Sequence, residues 1–159
     1  MSSNPAHYAA VLEQERDRVR EFLELLRQEQ AALVAGDHDE LMAFTEQKAA
    51  RILDLRRVAD TRSRLLASHG LRADKDGMSA WIERSNDEPI RRLWDEIKSL
   101  AAEVRAANEI NGALVAARLK HNQAAIAALQ SAARSGTGVY GPDGGTRLTA
   151  STTRALASA

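Results

Sequence analysis

Apolar and small residues recur three and four positions apart along most of this chain, the spacing of one helix face. The longest such run opens at Asp87, a capping residue, with Pro89 in the first turn, where a missing N–H costs nothing. It continues through Ile90, Leu93, Trp94, Ile97, Ala101, Val104, Val115, Leu119, Ile126 and Leu129 to about Arg134, and no proline interrupts it before Pro142. At about 1.5 Å per residue a helix of that length would reach roughly 70 Å. That predicts the spine of an elongated bundle or coiled coil.

Two further long helices precede it. The first is expected over about Ala6 to Ala35, where Leu12, Val19, Leu26 and Leu33 keep a seven-residue rhythm. Tyr8, Phe22, Leu23 and Leu25 widen that stripe, while Glu15 and Glu29 occupy seam-like positions and make it imperfect. Its other face pairs opposite charges at helical spacing: Glu13–Arg16, Asp17–Arg20, Arg20–Glu24 and Glu24–Arg27. Gly36 ends the helix. Asp37, with Glu40 three residues on, reads as a capping box for a second helix from about Asp39 to Ser68. Leu41, Phe44, Ile52, Leu55, Val58 and Leu66 form its inner side, and Gly70 closes it. Lys48 lies beside the stripe, its stem expected along the core and its amine in water. A short turn between two long helices makes an antiparallel hairpin.

Residues 71–86 change character, with Gly77 among mixed charges and then Met78, Ala80, Trp81 and Ile82. A short helix of two to three turns is expected there, folding Trp81 onto the bundle, and Trp81 and Trp94 read as core anchors. The fold class is therefore all-α: an elongated antiparallel helical bundle of three long helices plus a short one. The bundle is assigned to residues 1–134. Residues 135–159, rich in Gly, Ser and Thr, are expected to form a flexible tail.

Polar residues interrupt the last apolar run. Asn108, Asn111 and Asn122 fall on or beside its face, and Gly112 follows Asn111. Glycine inside a helix costs about 1 kcal/mol relative to alanine. One reading is register, since a buried polar residue in a seam fixes partner and alignment. The other is a face that stays partly open and receives another helix, with Gly112 permitting close backbone approach. In the tail, Pro142-Asp143-Gly144 is turn chemistry, and Tyr140 is the only aromatic after Trp94. Composition alone leaves that tyrosine as either a docking residue or an accident.

Charge and composition narrow the function. Lys plus Arg and Asp plus Glu both number 22, so no net field favours nucleic acid or an anionic membrane. There is no cysteine, hence no disulfide, thiolate metal site or cysteine nucleophile. Asp37-His38-Asp39-Glu40 is read as a helix start rather than a metal site, because adjacent helical side chains diverge. His7, His69 and His121 are dispersed and expected at the surface. No Gly-rich phosphate loop, nucleophile elbow or convergent carboxylate pair appears, so neither catalysis nor a cofactor is expected. No segment has the pattern of a leader or a membrane span, and a cytoplasmic location is the default.

Specific residues resemble the FlgN-type flagellar export chaperones, which serve the hook-associated proteins of the hook–filament junction. The early part of the resemblance is Phe22, Leu25, Leu26, Glu29, Ala32 and Leu33, then Gly36-Asp37 and Leu41, then Glu46 and Lys48 leading into Ile52–Leu55. Many coiled coils share that pattern. Trp94, then Asn108, Asn111 and Gly112, and finally Tyr140-Gly141 with Asp143-Gly144, are more specific. The Ala/Ser/Thr/Arg-rich segment after Gly145 departs from the family pattern.

The resemblance implies a non-enzymatic chaperone. It would bind the C-terminal helical region of unassembled hook-associated proteins, prevent their premature self-association, and deliver them to the cytoplasmic domain of the flagellar export gate. By that likeness the client surface comprises Val104, Asn108, Asn111, Gly112, Val115, Leu119, Asn122, Ile126 and Leu129. Tyr140, Gly141, Asp143 and Gly144 would dock the gate. The alternative is a structural adaptor that uses the same stripes to form a permanent homodimer, with no export role.

Overall fold

Aspartate starts three of the four helices. The Oδ1 atoms of Asp37, Asp74 and Asp87 accept hydrogen bonds from the backbone N–H of Glu40 (3.2 Å), Gly77 (2.9 Å) and Ile90 (3.2 Å). Such caps contribute about 1 kcal/mol each. In the computed structural model, which describes residues 5–137, the helices are α1 (Pro5–Ala35), α2 (His38–Ser68), α3 (Lys75–Ser85) and α4 (Glu88–Thr137). The described residues contain no strand. Left-handed backbone at Gly36 (φ 85°), Gly70 (φ 69°) and Asn86 (φ 48°) turns the chain out of α1, α2 and α3.

Cross-helix bonds fix the topology. From the start of α1 onward, Tyr8 bonds to Leu65, Glu15 to Arg62, Glu21 to Arg51 and Glu29 to Lys48, so α2 runs antiparallel to α1. Arg20 bonds to Glu96, Arg27 to Glu103, and Glu29 to Asn111, so α4 runs parallel to α1. Arg20 and Arg27 thus take acids on α4, Arg20 while keeping the expected local pair with Asp17 at 3.9 Å.

The chain divides into two units between Ala116 and Ala117. The first holds two apolar clusters. One joins Tyr8 and Leu12 of α1, Leu66 of α2, Met78, Trp81 and Ile82 of α3, and Ile90, Trp94 and Ile97 of α4. Leu12, Leu66, Met78 and Ile90 are almost wholly enclosed, each worth roughly 1.5–3 kcal/mol by burial. Tyr8 stacks on Trp81 at 4.1 Å, and its hydroxyl donates to the Leu65 carbonyl at 3.0 Å. Burial pushes the Tyr8 phenol above its ordinary pKa. Both tryptophans are core anchors, as expected. The other cluster gathers Phe22, Leu25, Leu26, Ala32 and Phe44, with Leu41, Leu55, Val104 and Ala107 half-buried against it.

In the second unit the described residues continue α4, and none of residues 117–135 is buried. Of the bundle assigned to residues 1–134, the last buried residue on α4 is Asn111. Three placements differ from expectation. Ile52, assigned to the inner side of α2, is 42% exposed, because Leu55 and Phe44 take the inward positions. His69 is half-buried rather than on the surface; its ring lies 5.3 Å from that of Tyr8. The Lys48 amine is held by the Glu29 carboxylate at 3.0 Å.

Gly77 is a helix residue, in the first turn of α3, and its backbone passes close to that of Arg72. A Cβ built there would collide with the Arg72 carbonyl carbon and oxygen. Backbone cannot swing aside as a long side chain can. Gly77→Ala is expected to cost about 2 kcal/mol by overpacking, outweighing the roughly 1 kcal/mol that alanine gains in helix propensity. Thermal melts followed by circular dichroism should show a fall of several degrees; an unchanged or raised Tm would show that the turn relaxes freely.

Candidate protein-binding surface

The residues assigned to client binding follow one helix but do not share one environment. Val104 is half-buried against the Phe22–Phe44 cluster and serves the core. Asn108 is exposed. Asn111 is 2% exposed, and its Nδ2 donates to the Leu26 carbonyl and to Glu29 Oε2, both at 2.8 Å. Its amide is used inside the bundle rather than presented at the surface. Gly112 has open space where a Cβ would stand, so no part of the described chain approaches it closely.

Beyond Gly112 the pattern changes. Val115 (50%), Leu119 (58%), Ile126 (54%) and Leu129 (71%) are large apolar side chains left in water, and Asn122 between them is exposed too. The steps from Val115 to Leu119, Asn122, Ile126 and Leu129 alternate four and three, the seam of a coiled coil. Burying such a side chain gains roughly 1.5–3 kcal/mol, so an uncovered seam stores binding energy for another helix. Its flanks are nearly neutral. From Ala106 to Ala133 the charged residues are Glu109, Arg118 and Lys120, and alanine predominates. Small flanking residues let a second helix come close without desolvating charge.

Other surfaces are less suited. An open cleft of about 820 Å³ along α1 is lined by Asp17, Arg20, Glu21, Arg27, Arg51 and Glu103 among others. Most of these charges already neutralise one another, as Arg51 does Glu21 (2.9 Å) and Arg27 does Glu103 (3.1 Å). Asp17 likewise holds Arg16 at 2.8 Å, a bond that raises the arginine's pKa. Among the described residues no set of three His, Cys, Asp or Glu could hold a metal ion. The assigned gate-docking residues Tyr140, Gly141, Asp143 and Gly144 lie outside the described residues.

Sequence reasoning missed the buried polar contacts. Glu15 meets Arg62 at 2.8 Å, and the Arg62 guanidinium sits 5.0 Å above the Trp94 ring. Glu29 is bound by both Lys48 and Asn111. The signal available was the position of Glu15 and Glu29 in the apolar stripe, where an acid requires a partner.

Fold and surface together define an all-helical bundle protein whose last helix bears an uncovered coiled-coil seam. The chain matches the FlgN protein family over residues 5–147, and it belongs to that family. It is 30% identical over 135 residues to the flagella synthesis protein FlgN of Yersinia enterocolitica serotype O:8, covering 84% of each chain. A second Yersinia enterocolitica flagella synthesis protein FlgN is 32% identical over 130 residues, covering 78% of this chain and 81% of that one. The fold is similar to the crystal structure of a flagella synthesis protein FlgN from Pseudomonas aeruginosa. That match has a TM-score of 0.63 at 20% identity and covers 72% of this chain and 90% of the other.

Proposed function

We propose that the protein acts in flagellar assembly as a cytoplasmic export chaperone. It binds the C-terminal helical region of hook-associated proteins along the distal part of α4, prevents their premature self-association, and delivers them to the export gate. The family and the names of its relatives as flagella synthesis proteins support the flagellar role. The observation that carries the binding mode is the exposed 4-3-4-3 seam from Val115 to Leu129. A client helix that would otherwise pair with its own kind covers its apolar stripe there. Among the described residues no helix is long and apolar enough to cross a membrane.

Gate docking is assigned to Tyr140 and its glycine-rich neighbours. An aromatic ring offers a large apolar surface with few rotatable bonds, and its hydroxyl can pair at a pocket rim. Tyr140→Ala should weaken binding to the purified cytoplasmic gate domain by about thirtyfold, equivalent to about 2 kcal/mol. Binding of a hook-associated protein and the Tm should stay at parental values. Titration calorimetry against each partner separately decides it. Equal gate affinity removes Tyr140 from the mechanism, and an absence of any client binding by the parent chain overturns the chaperone reading itself.

A further inference from the structure

Between Ile97 and Gly112 the residues that α4 sets against α1, Leu100, Val104 and Ala107, are only half-buried. Val104 and Ala107 are half-buried against the Phe22–Phe44 cluster, and neither is enclosed. The larger anchors of α4 (Ile90, Trp94 and Ile97) all belong to the other cluster. Dispersion and burial therefore hold this stretch weakly, since both scale with the apolar surface covered. Three surface ion pairs, Arg16–Glu96, Arg20–Glu96 and Arg27–Glu103, add little in water.

One strong attachment remains. Asn111 donates to the Leu26 carbonyl and to Glu29, and Lys48 reaches the same carboxylate from α2. Three helices thus meet on one buried carboxylate. The Asn111 orientation is set by chemistry, because both neighbours are acceptors and only Nδ2 can face them. Its Oδ1 is buried without a hydrogen-bond partner among the described residues. That orphan costs free energy, so the residue is a poor choice for stability alone. It is also the last buried residue of α4 before the exposed seam begins.

We propose that Asn111, with Glu29 and Lys48, is a clasp: a positioning device that holds this half-buried stretch of α4 on α1. The clasp fixes where the start of the seam, at Val115 of the first unit, stands for a client helix. This rests on the client-binding reading above. Asn111 is then a positioning residue rather than a contact, and Glu29 and Lys48 influence binding without touching the client.

The test separates the clasp from simple stability. Asn111→Ala removes the two donated bonds and the orphan oxygen together, and alanine favours the helix. Leu26 keeps its place in the α1 ladder and Glu29 keeps Lys48, so helix content and Tm should change little. Spin labels at the exposed Val34 and Ile110 report the separation of α1 and α4 within the first unit. The full-length parent should give one narrow distance distribution and Asn111→Ala a broad one. In calorimetry with a purified hook-associated protein, Asn111→Ala should bind at least tenfold more weakly. Glu29→Gln, which keeps the shape but loses the charge, should shift both readouts in the same direction by a smaller amount. A narrow distribution in both variants overturns the clasp whether or not a client binds. A broad distribution with parental client affinity overturns its role in presentation. If the parent binds no client, the chaperone reading fails, while the distance measurement still tests the clasp.

Discussion

Leu119→Asp is expected to weaken binding of a hook-associated protein's C-terminal helix by about a hundredfold while leaving the fold intact. The two halves of that expectation have separate physical sources. In the free protein Leu119 is 58% exposed, so a carboxylate there stays hydrated and costs little beyond the lower helix propensity of aspartate, about 0.5 kcal/mol. Once a partner helix covers the seam, the same carboxylate must lose water without a counter-charge. The effective penalty is several kcal/mol, and about 3 kcal/mol corresponds to the hundredfold loss. Ile126→Asp, one heptad further on, should behave alike. Glu13→Ala, on α1, should change nothing. The opposite pattern is expected at Leu26, which is fully enclosed: Leu26→Asp should unfold the bundle rather than spare it. Circular dichroism first, then calorimetry with the same client, gives the comparison. If Leu119→Asp and Ile126→Asp stay folded and bind normally, the client lies elsewhere, most plainly on the α1–α2 hairpin.

Much of this architecture was readable in the chain. Asp37 and Asp87 announce helix starts, Gly36 and Gly70 mark the ends, and the periodic stripes give four helices close to their observed limits. These signals are local, and local signals survive without knowledge of the fold. What failed was choice among distant partners. The expected Asp17–Arg20 pair forms, but Glu24, at helical spacing from both Arg20 and Arg27, loses them to Glu96 and Glu103. Exposed pairs along one helix are worth a few tenths of a kcal/mol, too little to hold a side chain against a better-placed acid on a neighbour. The start of the short helix stayed open because Asp74 was not recognised as its cap. The three asparagines looked equivalent, although Ile97, Val104 and Asn111 share a seven-residue step. That step follows the inner face of α4, and it singles out Asn111. Asn122 shares its step with Val115 and Leu129, on the exposed seam. For the seam itself the sequence revealed the apolar stripe. Only the fold revealed which part of it the described residues leave uncovered.

A large effect on stability is also expected where an acid stands inside the α1 stripe. Glu15 is 6% exposed, and its carboxylate accepts from Arg62 Nε at 2.8 Å. The same guanidinium lies 5.0 Å above the Trp94 ring, so one cation serves two groups in the core. Replacing such a pair by apolar groups can be neutral, but removing one partner strands a buried charge and costs about 3–5 kcal/mol. Arg62→Ala should therefore lower stability by about 3 kcal/mol, and in a domain of this length by roughly 10 °C in Tm. Glu15→Leu in the Arg62→Ala background should then return at least half of the loss, since no charge is left to strand. Denaturant titrations of the parent, both single variants and the double variant complete the cycle. A cost below about 1 kcal/mol for Arg62→Ala would place the pair among ordinary surface ion pairs. In that case Glu15 finds water or another donor, and the pair contributes little to holding α1 and α2 together.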